Sequence, residues 1–191
     1  MTRVCALALL VLASCGYRLA GTRADLPPTA HTVSVRRFDN HTREVGLDVH
    51  LQRAIEDEFR RHGTLSVVPE PEGDLVLSGA IRRFVTVPVA FSGTDEAVQY
   101  QGVILVSLRL TERASGRVIQ ETKALQESQD FGAVSGVVIS SSPHFQRGTI
   151  DARDLANLSN IQIGEARRRE ALRDLLDRVA QDVYLQAMEG F

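Results

Sequence analysis

The stretch Glu44–His62, EVGLDVHLQRAIEDEFRRH, decides the fold because its apolar residues recur at the period of a helix. They lie three or four positions apart and so share one face. These residues are Leu47, Leu51, Ala54, Ile55 and Phe59. Arginines fill the last turn, and Gly63 follows as a stop. The pattern predicts an amphipathic helix over 44–62.

Short strands are predicted on both sides of this helix. Thr32–Phe38 precedes it and Leu65–Pro69 follows it. Asn40 or Thr42, in the turn between, is a candidate helix cap. A strand, a helix and a strand joined by short connections predict a βαβ unit whose two strands lie in one sheet.

Three longer strands follow along the chain, at 74–87, 98–110 and 118–126. The middle one alternates apolar and polar residues most regularly, which is typical of a strand with one buried face. Arg82–Arg83 interrupts the alternation of the first, and Pro88 either ends it or places it at an edge. Glu121 and Lys123 predict that the third is a protected edge strand.

A second amphipathic helix is predicted over 164–188. Its apolar stripe comprises Leu172, Leu175, Leu176, Val179, Val183 and Ala187. The fold class is therefore α+β, with two amphipathic helices packed on one face of a mixed, mostly antiparallel four- to five-stranded sheet. We expect a single domain over 31–191 with a long loop at 129–163, in which 149–158 is a candidate short helix.

The N-terminus is typical of a bacterial secretory signal over residues 1–14. Arg3 precedes a short apolar run, and Leu12–Cys15 resembles the lipobox of bacterial lipoproteins. That resemblance implies cleavage before Cys15, with S-diacylglycerol and N-acyl groups, palmitate among them, on that residue. Two or more acyl chains anchor a protein stably. Gly16, where an Asp would favour retention at the inner membrane, points to the outer membrane, and 15–30 is predicted to be a tether.

Composition narrows the classes of function. The formal net charge is −2, so no overall field attracts nucleic acid. Cys5 would leave with the signal and Cys15 would be acylated, so we expect no disulfide. No nucleotide-binding glycine loop and no paired metal ligands occur in the sequence. We therefore expect no cofactor, no metal site and no enzyme activity.

Two groups of residues are candidate sites. Arg36–Arg37 and Arg82–Arg83 lie near the ends of strands that we expect to be neighbours, and arginine binds phosphate in a bidentate manner. The chain has 21 Arg and one Lys, so a general preference for arginine explains these pairs equally well. Ser140–Ser142 with His144 has the residue types of a hydrolase but lacks a nucleophile elbow, so a polar loop is the better interpretation.

The mature N-terminus carries a family resemblance. Cys15–Gly21, CGYRLAG, resembles the opening of the LptE-like lipopolysaccharide-assembly lipoproteins. Val33–Thr42 is similar to that family's first strand, which ends in Phe-x-Asn-x-Thr. Asp74–Ile81 is similar to its Ala-Asp-x-x-Leu-x-Gly-x-Ile strand, and Glu165–Leu185 to its closing helix.

The resemblance implies an outer-membrane lipoprotein on the periplasmic side. Such proteins plug a lipopolysaccharide-exporting β-barrel, assist its assembly and bind lipopolysaccharide without catalysis. Arg36, Arg37, Arg82 and Arg83 are the candidates for binding its phosphates. An accessory subunit of another envelope transport or secretion machine remains the alternative, because a tethered domain without a reaction centre fits both.

Overall fold

The computed structural model describes residues 26–93, 95, 97–133 and 152–189. The predicted signal peptide, Cys15, Ser140–Ser142 and His144 lie outside this part of the chain. The described elements are β1 (Thr32–Val35), β2 (Asp39–Asn40), α1 (Leu47–His62), β3 (Ser66–Val67), β4 (Leu75–Phe91), β5 (Ala97–Glu112), β6 (Val118–Gly132) and α2 (Ala152–Glu189).

The strands form one mixed sheet in the order β3-β1-β4-β5-β6, with β2 also paired to β4. β1 runs parallel to both β3 and β4, as the βαβ prediction requires. The long strands β4, β5 and β6 are antiparallel neighbours. The α+β prediction is confirmed. The sheet has six strands because Asp39–Asn40, in the predicted turn after strand 32–38, pairs with β4 as β2.

Both helices cover one face of this sheet. In β5, Ile104, Val106 and Leu108 alternate with half-buried or exposed residues and are themselves 0–2% exposed. Leu51, Ile55 and Phe59 of α1 are fully buried against the same core. We call the other side of the sheet the open face. Because side chains alternate along a strand, Ser107 and Arg109 lie on it.

The last helix is longer than its apolar stripe predicts. It begins at Ala152, twelve residues before the predicted start at Gly164. β6 also continues to Gly132, so the predicted loop 129–163 has strand at one end and helix at the other. Gly164 is tolerated because a single glycine costs a helix only about 1 kcal/mol. Among the α2 residues whose side chains the structure describes, 162–188, the first that is buried is Ala171.

The turn before α1 differs from the predicted cap. The residue that precedes the helix is Gly46, in the left-handed conformation with φ 81°, and no side chain caps it. Asn40 instead organises the turn: its Oδ1 accepts from the backbone N and Oγ1 of Thr42, and its Nδ2 donates to the Glu44 carbonyl. The Asn-x-Thr pair therefore positions the chain for the helix without capping it.

Phe38 and Gly79 come from two separate sequence motifs and meet in the core. Phe38 is 2% exposed. A Cβ on Gly79 would lie 2.5 Å from Cε1 and 2.9 Å from Cδ1 of Phe38, and closer still to the Ser107 carbonyl. Only glycine leaves room for the ring between the strands, which explains why both residue types occur at these positions.

Asp74 holds the starts of β1 and β4 together. Its Oδ2 accepts from the backbone N of His31 at 2.9 Å and from Thr32 Oγ1 at 2.8 Å. These hydrogen bonds lower the pKa of Asp74, the His31 backbone group contributing most. Leu26 and Ala30 are buried in the same core, so the folded domain begins before residue 31, within the predicted tether.

Candidate anion-binding groove

A β-bulge places two consecutive arginines on the open face. The register of β4 against β5 shifts between Ile81 and Arg83, so one extra residue, Arg82, is inserted there. Arg83 pairs with Leu105, which is on the open face of β5. Arg82 donates from Nε to Ser107 Oγ at 3.0 Å, on that same face. The interrupted alternation at Arg82–Arg83 in the sequence is the signature of this bulge.

The open face carries a groove of about 640 Å³ beside this bulge. The connection after β1 and the middle of β4, β5 and β6 form its walls. Its charged lining residues are Arg36, Arg37, Asp39, Arg82, Arg109, Glu121 and Lys123. Five cationic side chains thus face two carboxylates, so the groove attracts anions although the whole chain is weakly acidic.

Two of the five cations are neutralised by carboxylates. Arg36 donates from Nε to Glu70 at 2.9 Å, and this contact raises the pKa of Arg36 and lowers that of Glu70. Arg109 forms an ion pair with Glu121 at 2.7 Å, and the hydrogen bond lowers the pKa of Glu121. Such exposed pairs contribute little stability.

The other three cations retain more of their capacity for a ligand. Arg37 lies 3.8 Å from Asp48, at the limit of an ion pair. Arg82 contacts a serine hydroxyl, and no ion pair of Arg82 or Lys123 is found in the described part of the chain. Arg82 and Lys123 are therefore the strongest candidates for an incoming phosphate.

The groove includes three of the four predicted arginines, namely Arg36, Arg37 and Arg82. Arg83 is on the open face but does not line the groove. Sequence reasoning missed Arg109 and Lys123, because alternation marks them only as outward-facing residues of β5 and of an edge strand. Arg109 and Lys123 lie close to Arg82 because the three residues occupy adjacent positions on neighbouring strands. This can be recognised only when the register of the strands is known.

No cluster of three or more metal-binding side chains occurs within the described ranges. In the same ranges, no helix is both long enough and apolar enough to cross a membrane.

The lipopolysaccharide-assembly family LptE has a sequence model that matches residues 30–187. The chain belongs to the LptE family. The match spans the helices, the sheet and the groove of this LptE member, and it confirms the resemblance seen in the motifs. LptE proteins are outer-membrane-associated lipoproteins that act in lipopolysaccharide assembly as accessory proteins of the export barrel.

Solved structures of other bacterial proteins are similar to this chain at low identity. A protein from Xanthomonas campestris matches with 12% identity and a TM-score of 0.52, over 90% of this chain and 91% of that one. Uncharacterized lipoprotein B from Nitrosomonas europaea is 14% identical with a TM-score of 0.48, over 91% and 90% of the two chains. A minor lipoprotein from Acinetobacter baumannii is 13% identical with a TM-score of 0.46, over 86% and 95%. No curated protein matches the sequence.

Proposed function

We propose that this chain is an outer-membrane lipoprotein, acylated at Cys15, that partners and plugs the lipopolysaccharide-exporting β-barrel. In this role it assists assembly of the barrel and delivery of lipopolysaccharide to the outer leaflet. The acyl chains hold the domain on the periplasmic side at a high effective concentration near the barrel. Membership of the LptE family supports the assembly role.

The observation that carries the lipopolysaccharide part is the basic groove. Lipopolysaccharide has phosphate groups, and guanidinium groups bind phosphate through paired, charge-assisted hydrogen bonds. In the groove, Arg82 and Lys123 form no ion pair with a described carboxylate, although the charge of Lys123 helps to lower the pKa of Glu121. Arg36 and Arg109 are paired. We assign Arg82 and Lys123 the main phosphate contacts, with Arg37 beside them, and Arg36 a weaker contribution.

The proposed binding is tested with Arg82→Ala/Lys123→Ala. We expect lipopolysaccharide to bind the double variant about tenfold more weakly, which corresponds to about 1.4 kcal/mol. The wild-type affinity should fall as salt concentration rises, because exposed charges are screened. Arg53→Ala is the matched control, since it removes an exposed charge from α1 outside the groove. Equal affinity of the double variant and Arg53→Ala would remove the groove from the proposal.

The anchor and the partner are tested in native membranes. Gentle extraction of the lipidated chain is expected to bring the export barrel with it, identified by mass spectrometry. Cys15→Ser should move the chain from the membrane fraction to the soluble periplasmic fraction, because its acyl chains would be absent. Co-isolation with an inner-membrane ATPase complex in place of the barrel would favour the alternative of an accessory subunit of another machine.

A further inference from the structure

The strand β4 extends well beyond the strands that cover its outer edge. β1 pairs with β4 at Leu75–Leu77, and β2 pairs with it at Ala80 and Ile81. From Arg83 to Phe91, β5 is its sole strand neighbour within the described part of the chain. One edge of this half of β4 therefore presents backbone donors and acceptors that no described strand pairs.

The register shows which backbone groups point toward this free edge. The Ile81 carbonyl accepts from the His41 backbone N at 3.0 Å, so Ile81 faces the outer edge of β4. The bulge after Ile81 inserts one residue and reverses the alternation. Phe84, Thr86 and Pro88 then face outward, while Val85 and its alternate neighbours face β5. Pro88, which has no N–H, thus stands where the ladder with β5 does not need one.

The free edge is uncharged over eight residues, Phe84–Phe91, FVTVPVAF, and all of them except Thr86 are apolar. Val87, Val89 and Phe91 are 40%, 45% and 57% exposed. The opposite edge of the sheet, β6, is protected differently: it carries Glu121, Lys123 and other charged residues. Exposed strand edges are normally protected by charge, by proline or by a covering element. Between Arg83 and Pro88, the β4 edge carries no charged residue and no proline, and no described strand covers it.

We infer that the edge from Arg83 to Val87 pairs with an extended segment of the export partner, as an added β-strand. The inference rests on the proposed function, because it takes the barrel as the partner that supplies this segment. Main-chain hydrogen bonds would supply the affinity, and alternate side chains the specificity. Pro88 would end the pairing because it offers no donor to the next residue of the added strand.

The charge at the start of this edge defines the segment further. The side chain of Arg83 is exposed and forms no ion pair or hydrogen bond with another described residue. A segment with a carboxylate opposite Arg83 and apolar side chains opposite Val85 and Val87 complements the edge. A lipid would satisfy the apolar side chains but not the row of backbone groups, which is why we assign a polypeptide occupant.

The decisive variant is Thr86→Pro, with Thr86→Ala as its matched control. Both remove the threonine side chain, but only proline removes the outward N–H. Since the register places this N–H outside the β4–β5 ladder, both variants should fold and melt like the wild type. With the lipidated full chain in native membranes, we expect Thr86→Pro to co-isolate at least about tenfold less barrel, while Thr86→Ala retains wild-type recovery.

A second pair of variants decides the result if Thr86→Pro fails to fold. Arg83→Glu should reduce co-isolation severalfold, and Arg83→Lys should preserve it, because only the charge is needed. Barrel recovery unchanged by both Thr86→Pro and Arg83→Glu would overturn this inference and leave the proposed function standing. Failure of the wild type to bring the barrel would overturn both. If the wild type forms a dimer and Thr86→Pro dissociates it, the edge pairs with a second copy of the chain, and its assignment to the export partner would be overturned.

Discussion

Replacement of Gly79 by alanine tests whether the contact with Phe38 determines how β4 and β5 pack. The new Cβ would lie 2.5 Å from Phe38 Cε1, and closer to the Ser107 carbonyl, so neither the ring nor the strands can remain in place. Overpacking of this kind costs about 1–3 kcal/mol, and the fixed backbone carbonyl places Gly79→Ala near the upper end of that range. For a domain of this size, about 3 kcal/mol lowers Tm by roughly 6–12 °C.

The assay is urea unfolding followed by circular dichroism, with three companion variants. Gly93→Ala is the control, because a Cβ there meets nothing within 4 Å, and its free energy of unfolding should change by less than about 0.5 kcal/mol. Phe38→Leu shortens the ring side chain and should cost about 1.5 kcal/mol alone. In the double variant Phe38→Leu/Gly79→Ala, the smaller side chain relieves part of the clash, so we expect a coupling of about 1 kcal/mol.

Two results would refute this reasoning. If Gly79→Ala unfolds at the same urea concentration as Gly93→Ala, the close approach of Phe38 does not constrain the sheet. If the double variant is strictly additive, the cost of the alanine comes from the Ser107 carbonyl alone, and the ring has no part in it.

Two further predictions concern carboxylates with shifted pKa values. The hydrogen bonds that lower the pKa of Asp74 stabilise the fold above about pH 4 and are lost as pH falls through the lowered value. Asp74→Ala should therefore lower Tm at pH 7, and its difference from the wild type should shrink as pH falls below about 4. An equal Tm at pH 7 would contradict this. Desolvation and a hydrogen bond to Asp182 raise the pKa of Glu127, so its charged form costs stability once pH rises above about 4.5. Glu127→Gln should raise Tm at pH 7, because it adds up to about 1 kcal/mol to the free energy of unfolding. Near pH 4 it should have no effect. A pH series of melting curves that shows a larger gain near pH 4 than at pH 7 would disprove this.

The sequence predicts the parts of this fold that depend on local periodicity. The apolar stripe of α1 is buried as expected, and the parallel pairing of β1 and β3 follows from the short connections on both sides of the helix. The predicted start of α2 was wrong, because a glycine within a helix cannot be distinguished by sequence from a glycine at a helix boundary. Gly164 lies inside α2, and Ala152 begins it.

The groove was only partly predictable, for a different physical reason. Arg36 and Arg82 are 46 positions apart in the chain, and their approach depends on parallel pairing of β1 and β2 with β4. Lys123 joins them only through the register of β5 with β6. Alternation along one strand identifies which side chains share a face, but not which residues of different strands lie opposite one another. Which residues lie opposite one another depends on strand pairing and on β-bulges, and the periodicity of one strand predicts neither.

The contact between α1 and α2 bears on the order in which the chain acquires its structure. Thr64 Oγ1 and Tyr184 Oη form a hydrogen bond of 2.8 Å across 120 positions, and Tyr184 packs edge-on against Phe59 at 5.2 Å between ring centroids. During synthesis, α2 cannot cover the apolar side of the early βαβ unit until nearly the whole chain has been made. Loop closure over such a distance is slow relative to local helix formation. Premature termination before residue 171 would thus leave the nascent chain without the packing part of its closing helix, exposed to proteases and chaperones until it is degraded.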